Sequence, residues 1–370
     1  MKRNSKLALS LFLVLMLASL TMWMSCERSV KSPAEPTVQE PIQLTKADPQ
    51  IQATMAVQER HTADLMANPE VVGTAVTLTE DGRPAIMVMT KTAALKKGEG
   101  IPEAIEGIPV VIEVTGIIRP MRPGGGGVSH TAKQTPPIQL GTSGGWKYDL
   151  ANGYCCGGTL GSLITKSGKK YILSNYHVFE ADIVSGGNNR VAQTGDPIIQ
   201  PGLIDVSCNA SNAQDVATLV KSSSLPNSNV DASIAEIISG MVSEDGAILQ
   251  IGTLSAQTVS AAINQKVKKS GRTTALTRST VSGLNATVSV AYDNECAGGA
   301  AFTKTFTGQI VITNRASKFL AGGDSGSLMV EDLSTSPRAI GLLFAGSSST
   351  AIANPIGEVL SFFGATMVGN

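Results

Sequence analysis

Aromatic residues, histidine and any excess of one charge are all scarce in this chain of 370 residues. Aromatic side chains make up 4% of it, and 29 basic residues are balanced by 29 acidic ones. A chain without a basic stripe or aromatic platforms does not fit a nucleic-acid or polysaccharide binder. The chain also has only 3 histidines and lacks CxxC spacing, which disfavours structural zinc. We therefore expect no nucleic-acid partner, no metal and no cofactor.

Glycine is abundant, at 38 residues, and short runs of Val, Ile and Leu alternate with turn-forming residues. This composition disfavours a helical bundle, because Gly, Ser and Thr separate short strands better than they extend helices. The apolar runs also exclude disorder throughout the chain. Over residues 137–370 the density of strand-like runs predicts a mainly β domain, either a sandwich or paired barrels.

The N-terminus carries the pattern of an export signal. A basic start is followed by an uncharged, mostly apolar stretch from Leu7 to Leu20, and Ser25 precedes Cys26. This order predicts a lipoprotein-type signal peptide over residues 1–25, after which Cys26 is acylated and tethers the protein to a membrane. An uncleaved membrane anchor and a plain secretory signal are the alternatives.

Export to a bacterial cell envelope agrees with the cysteine content. Residues 26–48 are rich in Pro, Glu, Lys and Thr, which predicts a flexible tether. Four further cysteines suffice for two disulfides in an oxidising compartment, although their connectivity cannot be deduced. We expect the two adjacent cysteines not to pair with each other. The four are Cys155, Cys156, Cys208 and Cys296.

Two folded regions are predicted after the tether. Residues 49–119 show one helical pattern and about three strand-like runs, which indicates a small α+β domain. Residues 120–136 form a Gly-rich linker that implies no fixed contact with the β domain at 137–370. Because the small domain lacks a nucleophile–base pair, we predict a role in folding, substrate presentation or occlusion; the alternative is a spacer. We expect its His61, and His130 in the linker, to be solvated.

The most informative segment surrounds Ser325. It lies in the run Gly322-Gly323-Asp324-Ser325-Gly326, where flanking glycines permit a tight turn that exposes a hydroxyl. The backbone N–H groups of Gly323 and Ser325 could then stabilise an oxyanion. The alternative is a polar Gly-rich hairpin loop.

A serine nucleophile needs a base and an orienting carboxylate, and the sequence offers one candidate histidine and several acids. His177 follows a hydrophobic strand. Asp231 opens an alternating strand, where an unpaired carboxylate would be costly. Asp205 and Asp215 are rivals for the role of the carboxylate. The catalytic candidates are therefore His177, Asp231 and Ser325.

These three motifs, in this order, resemble those of the trypsin/chymotrypsin-type serine peptidases. The matching segments are Leu173–Val178, Val230–Ile234 and Gly323–Ser327. The resemblance implies two β-barrels with a His-Asp-Ser triad in the cleft between them, and a polypeptide substrate. More narrowly, Thr194–Gly202 and Lys269–Thr274 resemble segments of bacterial relatives of the plant narrow-leaf regulatory peptidase.

The same resemblance places a substrate pocket. Phe319 stands six residues before Ser325, where the family has the floor of its primary specificity pocket. Phe344, Ala345 and Gly346 lie on a segment similar to the pocket wall. An apolar or small side-chain preference follows from these residues. Neither the physiological substrate nor the oligomeric state follows from the sequence.

Two functions from different classes are compatible with these features. The first is an exported, membrane-tethered serine endopeptidase that hydrolyses peptide bonds through the triad and an acyl-enzyme. The second is a non-catalytic binding or scaffold protein on a peptidase fold. The presence of all three triad residue types favours the first.

Overall fold

A computed structural model describes most of the chain beyond the predicted tether. The predicted signal peptide and Cys26 lie outside the described residues. Within the described part of the chain, no helix has both the length and the apolar composition needed to cross a membrane. The described ranges are 43–98, 100–120, 128–151, 154–180, 190–292 and 302–370.

Strands dominate the described residues, as predicted. The helices are α1 (Pro49–Met66), α2 (Val128–Thr131), α3 (Tyr176–Phe179) and α4 (Ile356–Phe363). The principal strands are β1 (Val71–Leu78), β2 (Pro84–Thr90), β3 (Ile108–Val114), β4 (Arg119–Pro120), β5 (Thr142–Trp146), β6 (Gly158–Leu160), β7 (Ser162–Lys166), β8 (Lys169–Ser174), β9 (Pro197–Gln200), β10 (Gln214–Val220), β11 (Ser233–Ile237), β12 (Lys266–Gly271), β13 (Ala275–Tyr292), β14 (Phe302–Thr313), β15 (Leu328–Glu331), β16 (Ala339–Gly346), β17 (Thr350–Pro355) and β18 (Thr366–Met367).

The first barrel is built from β5 to β11. Its strands are ordered β6-β5-β9-β10-β11-β8-β7-β18. Gly161 joins β6 to β7, so these two strands act as one bent strand that closes the sheet. A side chain at Gly161 would clash with the carbonyl of Gly326, so glycine is required where the two barrels approach each other. The interior holds buried Trp146, Leu173 and Phe179.

The second barrel consists of six strands that close on themselves. Each strand of the ring β12-β15-β16-β17-β14-β13 pairs with the next, and β13 pairs again with β12. Its apolar interior includes Val281, Ile312 and Met329. The protein therefore has the predicted mainly β, two-barrel fold, preceded by a small α+β region.

The small α+β region is joined to the second barrel by a continuous sheet. In this region α1 packs on β1 and β2, and β2 pairs in parallel with β3. Strand β1 pairs antiparallel with β13, aligning Gly73 with Val288. The buried Gln58 of α1 accepts a hydrogen bond from Asn285 of β13 at 3.2 Å. The sequence implied no fixed contact here, but the structure contains one, because β13 extends well past the barrel.

One disulfide links the long loop before β10 to the start of the first barrel. Cys155 bonds to Cys208, with their Cα atoms 5.5 Å apart. The prediction that Cys155 does not pair with its neighbour Cys156 is thus confirmed. Cys296 lies outside the described residues.

Candidate active site

The three predicted site residues occupy connections in both barrels. His177 lies in α3, which directly follows β8, and Asp231 lies two residues before β11. Ser325 lies in the turn that leads into β15 of the second barrel. Barrel closure therefore holds all three on rigid strand ends rather than on long loops.

His177 and Asp231 form a close pair. The ring Nδ1 of His177 lies 2.7 Å from Oδ2 of Asp231, and the His177 backbone N–H donates to Oδ1 at 3.3 Å. Asp231 is fully buried, whereas the His177 side chain is 14% exposed. A buried carboxylate at Nδ1 fixes the imidazole tautomer with Nε2 as the acceptor.

The backbone of Asp231 is fixed from both barrels. Its N–H donates to the side-chain oxygen of Asn354 in β17 at 3.0 Å, and its carbonyl accepts from Asn175 at 2.7 Å. Asn354 in turn donates to Gln309 at 2.6 Å. These buried amides set the position of the carboxylate, because each would lose a hydrogen bond if Asp231 moved.

Tyr292 is a site residue that the sequence analysis missed. Its hydroxyl donates to Oδ2 of Asp231 at 2.7 Å, and its ring stacks on Phe302 with centroids 4.8 Å apart. Burial, and then the charge of Asp231, raise the pKa of Tyr292 well above its usual value. The phenol therefore remains a donor to the carboxylate. The only available signal was a tyrosine inside a long β run, where a buried hydroxyl needs a partner.

The rival carboxylates have other partners. Asp205 forms a bidentate pair with the buried guanidinium of Arg272, at 2.6 and 2.5 Å. Asp215 pairs with Lys147 at 2.8 Å on a partly exposed surface. Of the three candidates, the structure places Asp231 against His177.

The Ser325 side chain is enclosed by its surroundings. It is 1% exposed, and its Oγ donates to the Phe344 carbonyl at a long 3.4 Å. A Cβ at Gly158 would meet both Val178, next to His177, at 2.6 Å and the Ser325 carbonyl at 2.9 Å. The Nε2 of His177 is buried and makes no hydrogen bond to the described residues. Gly158 therefore packs between the Val178 side chain, one residue after His177, and the backbone of Ser325.

The turn around Ser325 requires a glycine at position 323 and is held by the Asp324 side chain. Gly323 has φ +89°, a conformation that L side chains rarely adopt, and its N–H donates to no described residue. The Asp324 carboxylate holds the turn by accepting hydrogen bonds from the backbone N–H groups of Thr273, at 2.9 Å, and Ala321, at 3.0 Å. The Asp324 carboxylate therefore fixes the turn that carries the backbone N–H groups of Gly323 and Ser325.

A buried ion pair supports this turn from below. Lys269 Nζ lies 3.2 Å from the Asp324 carboxylate, and both side chains are fully buried. Burial lowers the pKa of Lys269, and the Asp324 charge opposes that shift. Removing one partner would leave an uncompensated buried charge. Because Lys269 belongs to β12, this ion pair fixes the Ser325 turn to that strand.

The predicted pocket residues lie in two different apolar clusters. Phe319 packs in the interior of the second barrel, in a different apolar cluster from Phe344 and Ala345. The Phe344 ring packs on Phe306, with centroids 4.9 Å apart. Phe344 therefore contributes its carbonyl to the site, and its side chain turns to the core. Gly346 lies at the end of β16, two residues beyond Phe344.

The two other histidines differ from each other. His61 is partly exposed and lies 2.9 Å from Glu106, as fits a surface histidine. His130 was predicted to be solvated, and this was wrong: it is fully buried, with Nδ1 2.8 Å from the Gly141 carbonyl and Nε2 3.1 Å from Gln250. The Gly-rich composition of its surroundings concealed this tertiary contact.

One family model and several solved structures are similar to parts of this chain. The family model for the Nal1 C-terminal domain matches residues 216–354, less than half of the chain. No curated protein matches the chain.

Several solved serine proteases are structurally similar at low identity. A glutamic acid-specific serine protease is 21% identical at a TM-score of 0.40, covering 62% of this chain and 100% of its own. Thermobifida fusca Protease A is 20% identical at a TM-score of 0.42, and the match covers 63% of this chain and 99% of that protease. Cellulomonas bogoriensis chymotrypsin is 18% identical at a TM-score of 0.39, and the match covers 63% of this chain and 99% of that chymotrypsin.

Proposed function

We propose that the protein is a serine endopeptidase that hydrolyses peptide bonds through His177, Asp231 and Ser325. The observation that carries this proposal is the fully buried Asp231 carboxylate at 2.7 Å from His177 Nδ1, which leaves Nε2 as an acceptor without a hydrogen-bond partner among the described residues. A structural histidine normally has both ring nitrogens satisfied, as His130 does. An unsatisfied Nε2 is what a general base requires.

In this proposal Ser325 Oγ attacks the substrate carbonyl while His177 Nε2 accepts its proton. The negative charge that develops on the carbonyl oxygen is stabilised by the N–H groups of Gly323 and Ser325. The imidazolium then gives its proton to the leaving amine, and a water molecule hydrolyses the acyl-enzyme in the reverse sense. Asp231, held by the Tyr292 hydroxyl, stabilises the imidazolium throughout.

The long Ser325 Oγ–Phe344 O contact is compatible with this chemistry. Nucleophile–base hydrogen bonds are often loose without substrate and tighten on binding. Rotation about the Ser325 side chain toward His177 would exchange one weak hydrogen bond for a productive one. The 1% exposure of Ser325 requires that the site also opens.

A fluorophosphonate probe tests the proposal, because it reacts covalently with an activated serine. We expect labelling of the wild-type protein and none in Ser325→Ala or His177→Ala, with loss of hydrolysis on the order of 10⁴-fold or more. Circular dichroism and thermal unfolding of each variant control for folding. Unlabelled but folded wild type would instead support the alternative, a non-catalytic binding or scaffold protein.

We also propose the wider setting of the enzyme. It is exported to the cell envelope, tethered through lipid on Cys26, and acts on polypeptides. The Cys155–Cys208 disulfide supports an oxidising compartment. The match to the Nal1 C-terminal domain supports the narrower relationship to narrow-leaf-type peptidases. We retain the division into a small domain at 49–119, a linker at 120–136 and a peptidase domain at 137–370 as part of this proposal.

A further inference from the structure

One edge of β16 is only partly used by its own barrel. Strand β17 covers the opposite edge from Gly341 to Gly346. On the remaining edge, β15 pairs with β16 only as far as Leu342. The end of β16 therefore presents backbone groups that can pair with a further strand.

Ser325 lies on this same edge. Gly326 N–H donates to the Leu343 carbonyl at 3.0 Å, and Leu343 N–H donates to the Ser327 carbonyl at 3.0 Å. The next residue, Phe344, offers its carbonyl to Ser325 Oγ. An extended peptide paired with Ala345 and Gly346 would thus be directed at the serine.

Strand β4 occupies that position in the structure. It pairs antiparallel with β16, with Pro120 opposite Ala345 and Arg119 opposite Gly346. Because the pairing is antiparallel, the residue numbers of β4 increase toward the Ser325 end of the edge. The segment therefore lies as an extended peptide whose C-terminal end points toward Ser325.

The residue before β4 holds it in place. Ile118 is fully buried and packs in one apolar cluster with Phe344, Ala345 and Met89 of β2. Its carbonyl accepts a hydrogen bond from Ala291 N–H at 3.1 Å. Ile117, immediately before it, is 44% exposed. The alternation of an exposed and a buried side chain is typical of a strand that packs on the protein through one face, here through Ile118.

We propose that Ile118–Pro120 is an intramolecular peptide ligand that occupies the edge on which a polypeptide substrate pairs, so that the chain competes with its own substrate. The inference rests on the proposed peptidase function. Because the segment is tethered, its effective concentration is set by the chain rather than by the solution, typically in the millimolar range.

The test compares Ile118→Glu with the matched control Ile117→Glu, both in the full chain. Ile118→Glu removes the anchor and buries a charge, so β4 should leave the edge; Ile117→Glu places the same charge on an exposed side chain. With a short chromogenic peptide, we expect Ile118→Glu to lower KM by at least about tenfold and to speed fluorophosphonate labelling. The control should match wild type.

A second measurement reports occupancy of the edge without relying on activity. Hydrogen exchange should accelerate in Ile118→Glu at whichever of the adjacent amides of Ala345 and Gly346 faces β4, and not at the one that faces β17. A synthetic peptide of residues 115–120 should then restore protection and inhibit competitively, whereas the same peptide with Ile118→Glu should not. If Ile118→Glu fails to fold, the same exchange and inhibition measurements are made on Ile118→Ala, and the two peptides are tested as inhibitors of the wild-type protein.

The outcomes separate the two proposals. Faster exchange with unchanged KM and labelling in an active enzyme would overturn self-competition, as would the absence of any effect of the peptide. If no variant is labelled or active, the peptidase proposal fails. In that case specific binding of the 115–120 peptide at Ala345 and Gly346 would still support, and its absence would overturn, the assignment of this edge as a peptide site.

Discussion

Replacing Tyr292 by Phe removes a single hydroxyl from the Asp231 carboxylate while retaining the aromatic ring. The stacking on Phe302, at 4.8 Å and an interplanar angle of 6°, should survive because it involves only the rings. The hydrogen bond of 2.7 Å to Asp231 Oδ2 is lost. A hydrogen bond to a charged acceptor contributes about 1.5–3 kcal/mol. If this free energy positions the imidazole in the transition state, kcat/KM falls by roughly 10- to 150-fold with little change in KM.

The split between kcat and KM distinguishes positioning from a general loss of stability. A residue that positions the imidazole should lower kcat in the folded variant and leave KM unchanged. A residue that merely supports the fold would lower the melting temperature and leave the kcat of the folded enzyme unchanged. An unchanged kcat/KM in folded Tyr292→Phe would refute the assignment of Tyr292 to the site.

The raised pKa of Tyr292 also has an alkaline signature. Because the pKa in the folded state exceeds the unfolded value, the stability that the protonated phenol contributes is fully present below pH about 10 and is lost as the pH rises further. The difference in unfolding free energy between wild type and Tyr292→Phe should shrink above that pH. In native protein, one of the 5 tyrosines should resist ionisation in an ultraviolet titration. Ionisation of all tyrosines near pH 10 would contradict the burial argument.

The other predictions address the carboxylate, the disulfide and the tether. Asp231→Asn should reduce kcat on the order of 10⁴-fold with the fold intact, whereas Asp215→Asn, which breaks only a partly exposed ion pair, should be nearly silent in the same assay. Cys208→Ser opens a loop with a sequence separation of 53 residues, so the chain-entropy estimate is a loss of roughly 4 kcal/mol in denaturant unfolding, matched by reductant on wild type. Fatty-acid labelling should be lost in Cys26→Ser; a soluble mature chain that begins elsewhere would contradict tethering.

The sequence predicted those parts of the fold that are encoded locally. Helical spacing predicted α1, and apolar runs predicted β1 and β8 nearly at their observed bounds. His177 and Ser325 could be proposed because catalytic chemistry restricts residue types and their neighbours. Asp231 was chosen over its rivals because a carboxylate at the mouth of an apolar strand needs a partner.

The remaining features depend on long-range pairing, which local patterns do not record. Tyr292 reaches Asp231 from a different barrel, and nothing in its immediate sequence distinguishes it from other aromatic residues in strands. The joined sheet left a weak signal, since β1 is apolar on consecutive positions rather than alternating, as expected of a strand covered on both faces. The inward turn of Phe344 depends on packing against Phe306, which a motif cannot reveal.

The shared sheet has a consequence for the order in which the protein acquires its structure. Gln58 bonds to Asn285 across 227 positions, so the N-terminal region is synthesised long before its partner strand exists. Until β13 emerges, one edge of the apolar strand β1 has no strand to pair with, which favours association with other chains. Contacts this distant in sequence also form slowly. The nascent chain should therefore depend on a holding factor until β13 has been synthesised, and should commit to its final topology only when the last third of the polypeptide has been made.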